Sequence, residues 1–447
     1  MDDIRPSLSS GRAATLVAAL GLLFFLAIPV ATATARGPVT QFPIPTASSR
    51  PTAVAAGPDG NVWFVESSAN KIGMITPTGT ITEFAITTLA SGPRDIAAGP
   101  DGNLWFTEAN ASQIGKITPT GTITEYPVPP VDPDFPDFWE QEPDRITAGP
   151  DGNMWFTVNS DIDARVERIT PSGTVTAFIV PGDWPMIRDI TAGPDGNVWY
   201  TEEGPPHKLG KVTPTGTITE YRIGGAAAYP GCITAGPDGN LWFATGIDTG
   251  DEGIARFDMT TGAITVHATS DNVYDITSGP DGNLWFTVWP GYVTMMTTSF
   301  VATKLTVGST VLDPRGIVAG PDGNIWFTER SANKIACLVP PIQKITVAGR
   351  LSARQHGYYV GVRYHGSVSP NIAGTALDVR WQRYSLGSWR TVKRAHPIVS
   401  ATSKFSTTVC LQSSLRRHWP GGLYRVGCTA PGYAGQSKWL RFRFYPW

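Results

Sequence analysis

The stretch IAAGPDGNLWFTE, residues 96–108, decides the fold of this chain. At its centre is a tight turn. Pro100 presets φ, the Asp101 side chain can bond its own backbone, and Gly102 can take the positive φ that ends the turn. Small and β-branched residues precede the turn, and the residues after it alternate in the manner of a strand. The stretch therefore predicts a β-hairpin whose first strand lies in a crowded position.

The GPDG tetrapeptide of this hairpin recurs along the chain at intervals of 41 to 50 residues. The seven copies start at Gly57, Gly99, Gly149, Gly193, Gly236, Gly279 and Gly320. A period in the low forties is the length of a four-stranded propeller blade. We therefore predict an all-β fold, a seven-bladed β-propeller. A tryptophan recurs at one register of every second strand, and we predict that it packs between neighbouring blades.

The two ends of the repeat region predict how the ring closes. The seventh repeat stops after its third strand, at residues 334–338, whereas residues 39–45 have the pattern of a fourth strand. We predict that this N-terminal strand completes the last blade. Closure of this kind removes an exposed sheet edge, which is a hazard for an all-β chain.

The residues before the repeats predict export. Arg5 and Arg12 precede an apolar run, residues 13–31, and small residues follow it, as in a secretory signal. We interpret residues 1–37 as a signal peptide, with an uncleaved N-terminal anchor as the alternative. Either interpretation makes the protein secreted or attached to the cell surface.

The rest of the chain divides in two. Residues 38–341 form the predicted propeller, and residues 342–447 predict a small immunoglobulin-like β-sandwich, because β-rich runs there alternate with turns. From Lys344 onward 16 Lys and Arg face a single acid, Asp378, a charge of +15 within a chain whose net charge is −2. The remainder therefore carries −17. A basic β-domain outside the cell favours an anionic cell-wall polymer or a carbohydrate as its partner over nucleic acid, with packing on the acidic propeller as the alternative. We expect a monomer.

Charged side chains mark the points where the innermost strand of a blade begins and where its second strand ends. Both points lie on the face opposite the GPDG turns. Three blades pair an arginine with a glutamate there: Arg94/Glu108, Arg188/Glu202 and Arg315/Glu329. These residues are either ion pairs that satisfy buried charge or a charged channel mouth that holds a ligand through guanidinium contacts. Asp144, and Trp139 in an insertion between the second and third repeats, are further candidate ligand contacts.

The blade pattern resembles the streptogramin B (virginiamycin B) lyase family. The likeness lies in IAAGPDGNLWFTE, in NKIG at residues 70–73 and in GTITEY at residues 121–126, and it extends over residues 38–340. The resemblance implies a seven-bladed propeller that opens a cyclic depsipeptide by elimination across its ester bond, using Mg²⁺ and a catalytic histidine.

The resemblance also implies where that site would lie. The acid and histidine of the family's Glu-x-His pattern match Asp313 and Arg315, and the acid that ends its Trp-Phe-x-Glu pattern matches Glu329. The position of a second family histidine holds Tyr274. By resemblance, Asp313 and Glu329 are the candidate Mg²⁺ ligands, and Arg315 and Tyr274 stand at the catalytic positions.

Two functions follow from these matches. An arginine stays protonated and cannot act as a general base near neutral pH, which favours an exported protein that binds a small molecule, a peptide or a polysaccharide at the channel mouth. The alternative is a Mg²⁺-dependent lyase with an altered base, such as Tyr274. A purely structural surface protein is the third hypothesis.

Overall fold

In a computed structural model of the chain, the structure describes two parts. The first is residues 39–340, except 131–141, 161–162, 183–184, 224–228, 247–251, 270–271 and 307–312. The second is the backbone of seven strands between residues 346 and 444. The predicted signal segment, residues 1–37, lies outside the described residues.

Seven four-stranded antiparallel sheets confirm the predicted propeller. In each of blades 1 to 6 the four strands follow the chain from the innermost to the outermost position. Blade 1 comprises β2 (Pro51–Ala56), β3 (Val62–Glu66), β4 (Lys71–Ile75) and β5 (Ile81–Ala85). Blade 2 comprises β6 (Pro93–Ala98), β7 (Leu104–Glu108), β8 (Gln113–Ile117) and β9 (Ile123–Pro127). Blade 3 comprises β10 (Glu142–Ala148), β11 (Met154–Asn159), β12 (Ala164–Ile169) and β13 (Val175–Ile179). A short 3-10 helix, Ala109–Ala111, follows β7.

The remaining blades repeat this order. Blade 4 comprises β14 (Ile187–Ala192), β15 (Val198–Glu202), β16 (Lys208–Val212) and β17 (Ile218–Arg222). Blade 5 comprises β18 (Ile233–Ala235), β19 (Leu241–Thr245), β20 (Gly253–Phe257) and β21 (Ile264–Ala268). Blade 6 comprises β22 (Asn272–Ser278), β23 (Leu284–Trp289), β24 (Tyr292–Met296) and β25 (Ala302–Thr306). Blade 7 comprises β26 (Pro314–Ala319), β27 (Ile325–Glu329), β28 (Lys334–Leu338) and the N-terminal strand β1 (Val39–Pro43).

The N-terminal strand closes the ring, as the sequence predicts. Strand β1 pairs antiparallel with β28, with Val39 opposite Leu338 and Pro43 opposite Lys334. At the same junction Gly316 lies so close to blade 1 that an added Cβ would fall 2.6 Å from the Thr52 carbonyl oxygen. Any side chain at position 316 would therefore hold blades 7 and 1 apart.

The GPDG turns and the repeated tryptophans form one unit. In blade 1, Asn61 donates its backbone N–H to the Asp59 carboxylate, and the Trp63 indole N–H donates to the same group at 3.2 Å. Gly60 has φ of +80°, and a Cβ on Gly57 would lie 2.5 Å from the Trp63 ring. All seven tryptophans are at most 1% exposed and pack against residues of the neighbouring blade. The predicted packing role is confirmed.

The innermost strands begin with an irregularity that the sequence pattern did not predict. In blade 2, Pro93 pairs with Glu108 and Ile96 with Phe106, so the two residues between Pro93 and Ile96 face a single one on β7. This is a β-bulge, which re-aims side chains. Five other blades shift register at the same place. In blades 2, 3 and 6 the bulges turn two consecutive side chains toward the channel.

The C-terminal part contains two antiparallel sheets. One has the order β29 (Thr346–His356), β30 (Tyr359–Ser369), β33 (Lys404–Gln412), and the other has the order β32 (Ser388–Ala395), β31 (Asp378–Ser385), β34 (Gly422–Thr429), β35 (Leu440–Phe444). Their packing as a sandwich remains a prediction. No helix in the described parts of the chain has the length and apolar character needed to cross a membrane.

Candidate functional site

A cavity of about 370 Å³ opens at the mouth of the channel, where the innermost strands begin. Its wall consists of bulge residues and of residues from the turns that follow the second strands. The charged and aromatic members of the wall are Arg94, Asp95, Asp144, Arg145, Asp189, Tyr274, Asp275, Arg315 and Arg330. The volume lies in the range of small-molecule sites, and four arginines against four aspartates make this wall strongly polar.

Three aspartates of the wall join adjacent blades. Asp95 accepts the backbone N–H of Ile96 in its own blade at 2.8 Å and that of Ile146 in the next blade at 2.9 Å. Asp189 and Asp275 make the same two contacts in blades 4 and 6. Because both oxygens of each carboxylate hold backbone donors, the first role of these aspartates is to tie the channel wall together.

Arg145 provides the counter-charge for this ring. Burial alone would lower the pKa of its guanidinium, but the carboxylates of Asp144, Asp189, Asp95 and Asp275 raise it above its ordinary value. In the opposite sense, burial raises the pKa of Asp275 to about 7, and the neighbouring Asp189 adds to this effect. One guanidinium therefore serves three inward carboxylates, and the inner channel remains acidic.

The predicted arginine–glutamate pairs within a blade are wrong. Arg94 lines the cavity, but its guanidinium lies 2.6 Å from Glu142 and 3.7 Å from Asp144. Arg188 is exposed, is absent from the cavity wall and pairs with Glu203. In both cases the guanidinium reaches an acid of a neighbouring strand or turn.

The predicted glutamate partners lie away from the mouth. Alternation along the second strand puts Glu108 on the same face as Phe106, which is buried between the blades. Glu108 and Glu329 are fully buried, and burial raises the pKa of each to about 7. Glu202 is likewise buried, 3.1 Å from the ammonium of Lys208. The predicted role of the three glutamates, Glu108, Glu202 and Glu329, as mouth residues is therefore wrong.

The residues at the two predicted catalytic positions are in direct contact. The Arg315 guanidinium lies 3.7 Å from the centroid of the Tyr274 ring, and its Nε is 2.9 Å from the Asp313 carboxylate. The Ser331 hydroxyl donates to the other Asp313 oxygen at 3.1 Å. Arg315, Tyr274 and Asp313, the positions that the family resemblance selected, thus form one cluster on the blade 7 side of the mouth.

The residues present do not fit a Mg²⁺ ion. Magnesium prefers oxygen ligands in an octahedral arrangement, but the guanidinium of Arg315 already neutralises Asp313. Glu329 accepts two hydrogen bonds from the Gln41 amide, at 2.9 and 3.0 Å. No group of three or more His, Cys, Asp or Glu side chains able to hold a metal occurs in the described part of the chain. The candidate metal ligands Asp313 and Glu329 are therefore each engaged within the protein.

Sequence reasoning missed one ring of four residues and one further arginine, and one of its candidates lies outside the described residues. It did not single out the ring of Asp95, Arg145, Asp189 and Asp275, or Arg330, the residue after Glu329. The available signal was a charged residue directly before the buried Ile of an innermost strand, where a strand covered on both faces would carry small or apolar residues. Trp139 lies within residues 131–141, outside the part that the structure describes.

The fold and the mouth define a class of protein, a seven-bladed β-propeller with a charged cavity at one end of its channel. Comparison with protein families identifies the class more closely. The chain matches the virginiamycin B lyase family over residues 25–159 and 137–348, well over half of its length, and it belongs to that family. A comparison with curated proteins finds no match.

Solved structures agree with this assignment. A streptogramin B lyase is 32% identical, with a TM-score of 0.60, and the match covers 68% of this chain and 98% of that one. A catalytically inactive histidine-to-alanine variant of the Staphylococcus aureus virginiamycin B lyase with quinupristin is 30% identical, with a TM-score of 0.61 and coverage of 68% and 99%. Hydrazine synthase of Kuenenia stuttgartiensis, 14% identical with a TM-score of 0.56, shares the fold alone.

Proposed function

We propose that this member of the family binds a ligand at the channel mouth and does not catalyse the lyase reaction. The ligand is a small molecule, or the end of a peptide or polysaccharide chain. The observation that carries the proposal is the Arg315–Tyr274 stack beside the cavity. A guanidinium held 3.7 Å from the centroid of an aromatic ring gains a cation–π contact that restricts its movement.

The same cluster argues against general-base catalysis. By resemblance, the family's catalytic histidine corresponds to Arg315, whose guanidinium stays protonated and has no acceptor site for a proton. Tyr274, the other candidate base, lies under that cation. Asp313, the nearest carboxylate, forms an ion pair with Arg315. The polar groups of the cluster therefore contact one another, and this arrangement does not supply a general base.

The proposal also includes export. Its support is the sequence alone: Arg5 and Arg12, the apolar residues 13–31 and the small residues that follow them. A secreted or surface-attached protein would meet peptides, antibiotics and wall polymers as ligands.

Turnover is tested with quinupristin and the purified full-length chain in excess Mg²⁺, by mass spectrometry. The Staphylococcus aureus virginiamycin B lyase is the positive control. We expect quinupristin to remain intact. A linear product that disappears with chelator and in the Arg315→Ala variant would overturn the proposal in favour of the Mg²⁺-dependent lyase.

Binding at the mouth is tested separately, by ligand-observed NMR with a library of small fragments. We expect fragments that bind the wild-type chain to lose at least about tenfold in affinity in Arg315→Ala, since a contact to a charged group is removed. Arg222→Gln, on the exposed outer strand of blade 4, is the matched control and should bind like wild type. Binding that Arg315→Ala leaves unchanged would contradict a site at the mouth.

A further inference from the structure

Arg315 and Arg330 line the cavity on the side where blades 7 and 1 join, and Arg50 lies near enough to Arg330 for its charge to lower the pKa of that residue. Arg315 is the second residue of β26, Arg330 directly follows β27, and Arg50 directly precedes β2. Arg330 donates its backbone N–H to the Asp313 carbonyl at 3.1 Å, and Ser67 of the cavity wall donates to the Arg50 carbonyl at 2.8 Å. We call Arg50, Arg315 and Arg330 the arginine trio.

The arginine trio has fewer neighbouring carboxylates than positive charges. Asp313 is bonded to Arg315, and no ion pair of Arg50 or Arg330 is found among the described residues. Burial lowers the pKa of Arg330, and the positive charges of Arg50 and Arg315 lower it further. Three guanidinium groups around one carboxylate leave an excess of two positive charges.

The other carboxylates of the mouth are already engaged. Asp95, Asp189 and Asp275 hold backbone N–H groups with both oxygens and share the charge of Arg145. Asp144 and Glu142, in blade 3, are paired with Arg94 of blade 2. None of these acids is available to the trio, so the mouth is electrostatically uneven, positive at blades 7 and 1 and acidic deeper in the channel.

The trio is also held by rigid elements. Gly316, the residue after Arg315, lies against the Thr52 backbone of blade 1, and the Thr328 hydroxyl, in β27, donates to the Thr52 carbonyl at 2.9 Å. Arg50 has φ of +51° and directly precedes β2, and its carbonyl accepts a hydrogen bond from the Ser67 hydroxyl. Donors that are held in place before binding lose less freedom when a ligand arrives.

We propose that the arginine trio binds an oxyanion, a carboxylate or phosphate group, of the ligand at the channel mouth. This inference rests on the proposed binding function and names the chemical class of the ligand. Guanidinium groups recognise both oxyanions through paired N–H donors. Tyr274, in contact with Arg315, lines the same cavity.

The test uses three probes of similar shape: benzoate, phenyl phosphate and the neutral benzamide. Dissociation constants are measured by ligand-observed NMR with the full-length chain at low and high salt. We expect at least one anion to bind at least about tenfold more tightly than benzamide, and its affinity to fall as salt increases. A preference between the two anions distinguishes a carboxylate ligand from a phosphate ligand.

Variants assign the binding to the trio. Arg330→Gln should weaken anion binding about tenfold and leave benzamide binding unchanged, since it removes one charge-assisted contact. Arg50→Gln should act in the same direction, Arg330→Lys should be intermediate, and Arg222→Gln should match wild type. Circular dichroism checks that each variant is folded.

The experiment distinguishes failure of the oxyanion inference from failure of the proposed binding site. If benzamide binds as tightly as both anions, or if Arg330→Gln and Arg50→Gln leave anion binding unchanged, the oxyanion inference is wrong and binding at the mouth still stands. If Arg315→Ala changes the binding of no probe, the mouth is not the site, and both proposals are wrong.

Discussion

A buried glutamate ends the second strand in four of the seven blades. Glu66, Glu108 and Glu329 are fully buried, and burial raises the pKa of each to about 7. A carboxylate in such a place is costly when ionised. Blades 3 and 6 carry Val158 and Val288 at the same register, so the fold does not require an acid there.

These glutamates predict a pH-dependent stability. The pKa of Glu108 is about 7 in the folded chain against an ordinary value of 4.5. The folded state therefore holds the proton more tightly, and this stabilisation is complete below pH 4.5 and is lost as the pH rises through 7. We expect Glu108→Gln to stabilise the protein by about 2 kcal/mol more at pH 8 than at pH 4.5. Urea unfolding at the two pH values measures the difference.

Glu108→Val, which copies blades 3 and 6, is the control. It removes the titrating group by another route and should show the same pH trend relative to wild type. A stability difference from wild type that is the same at both pH values in both variants would show that Glu108 does not titrate in this range.

At the scale of strands and turns, the repeat predicted most of what the structure contains. The GPDG turn and the tryptophan register follow from local chemistry, because Pro100, Asp101 and Gly102 act within one hairpin. The closing strand follows from the repeat itself, because the seventh copy lacks a fourth strand and residues 39–45 supply its pattern. The bulges do not, since they arise where seven innermost strands crowd around one axis. A bulge shifts which side chains face the channel, and this is why Asp95 and Arg145 were missed while the partners of Arg94 and Arg188 were assigned wrongly.

The closing strand predicts a difference between two similar substitutions. Phe42 stacks on Trp326 at 5.7 Å in blade 7, and Phe84 stacks on Trp63 at 5.5 Å in blade 1. Phe42→Ala and Phe84→Ala remove the same contact, each at a cost of about 2 kcal/mol for a partly buried ring. Only Phe42 lies on the strand that joins the two ends of the ring.

Hydrogen exchange measures this difference. We expect Phe42→Ala to speed exchange of the β28 amides opposite β1, residues 334–338, more than Phe84→Ala speeds exchange in β4, residues 71–75. Local opening is easier where no covalent connection holds the outer strand in register. Equal protection in the two variants would mean that β1 contributes no more to closure than any other outer strand.

At the scale of the whole chain, charge separates the two parts of the sequence. Residues 344–447 carry +15, against −17 for the rest. A field of this size steers the chain toward anionic surfaces at low salt and weakens as salt increases. We propose that the propeller binds a ligand at the mouth and that the basic segment binds an anionic polymer.

This separation predicts salt-dependent retention on purified cell wall, which carries anionic polymers. We propose that the full-length chain binds cell wall at low salt and is released at high salt, while a chain ending at Pro341 is not retained at either. The mouth should not matter here, so Arg315→Ala in the full-length chain should be retained like wild type. If the shortened chain is retained as well, the acidic propeller carries the contact. If neither chain is retained, the basic segment instead neutralises the acidic propeller, the alternative that the charge balance left open.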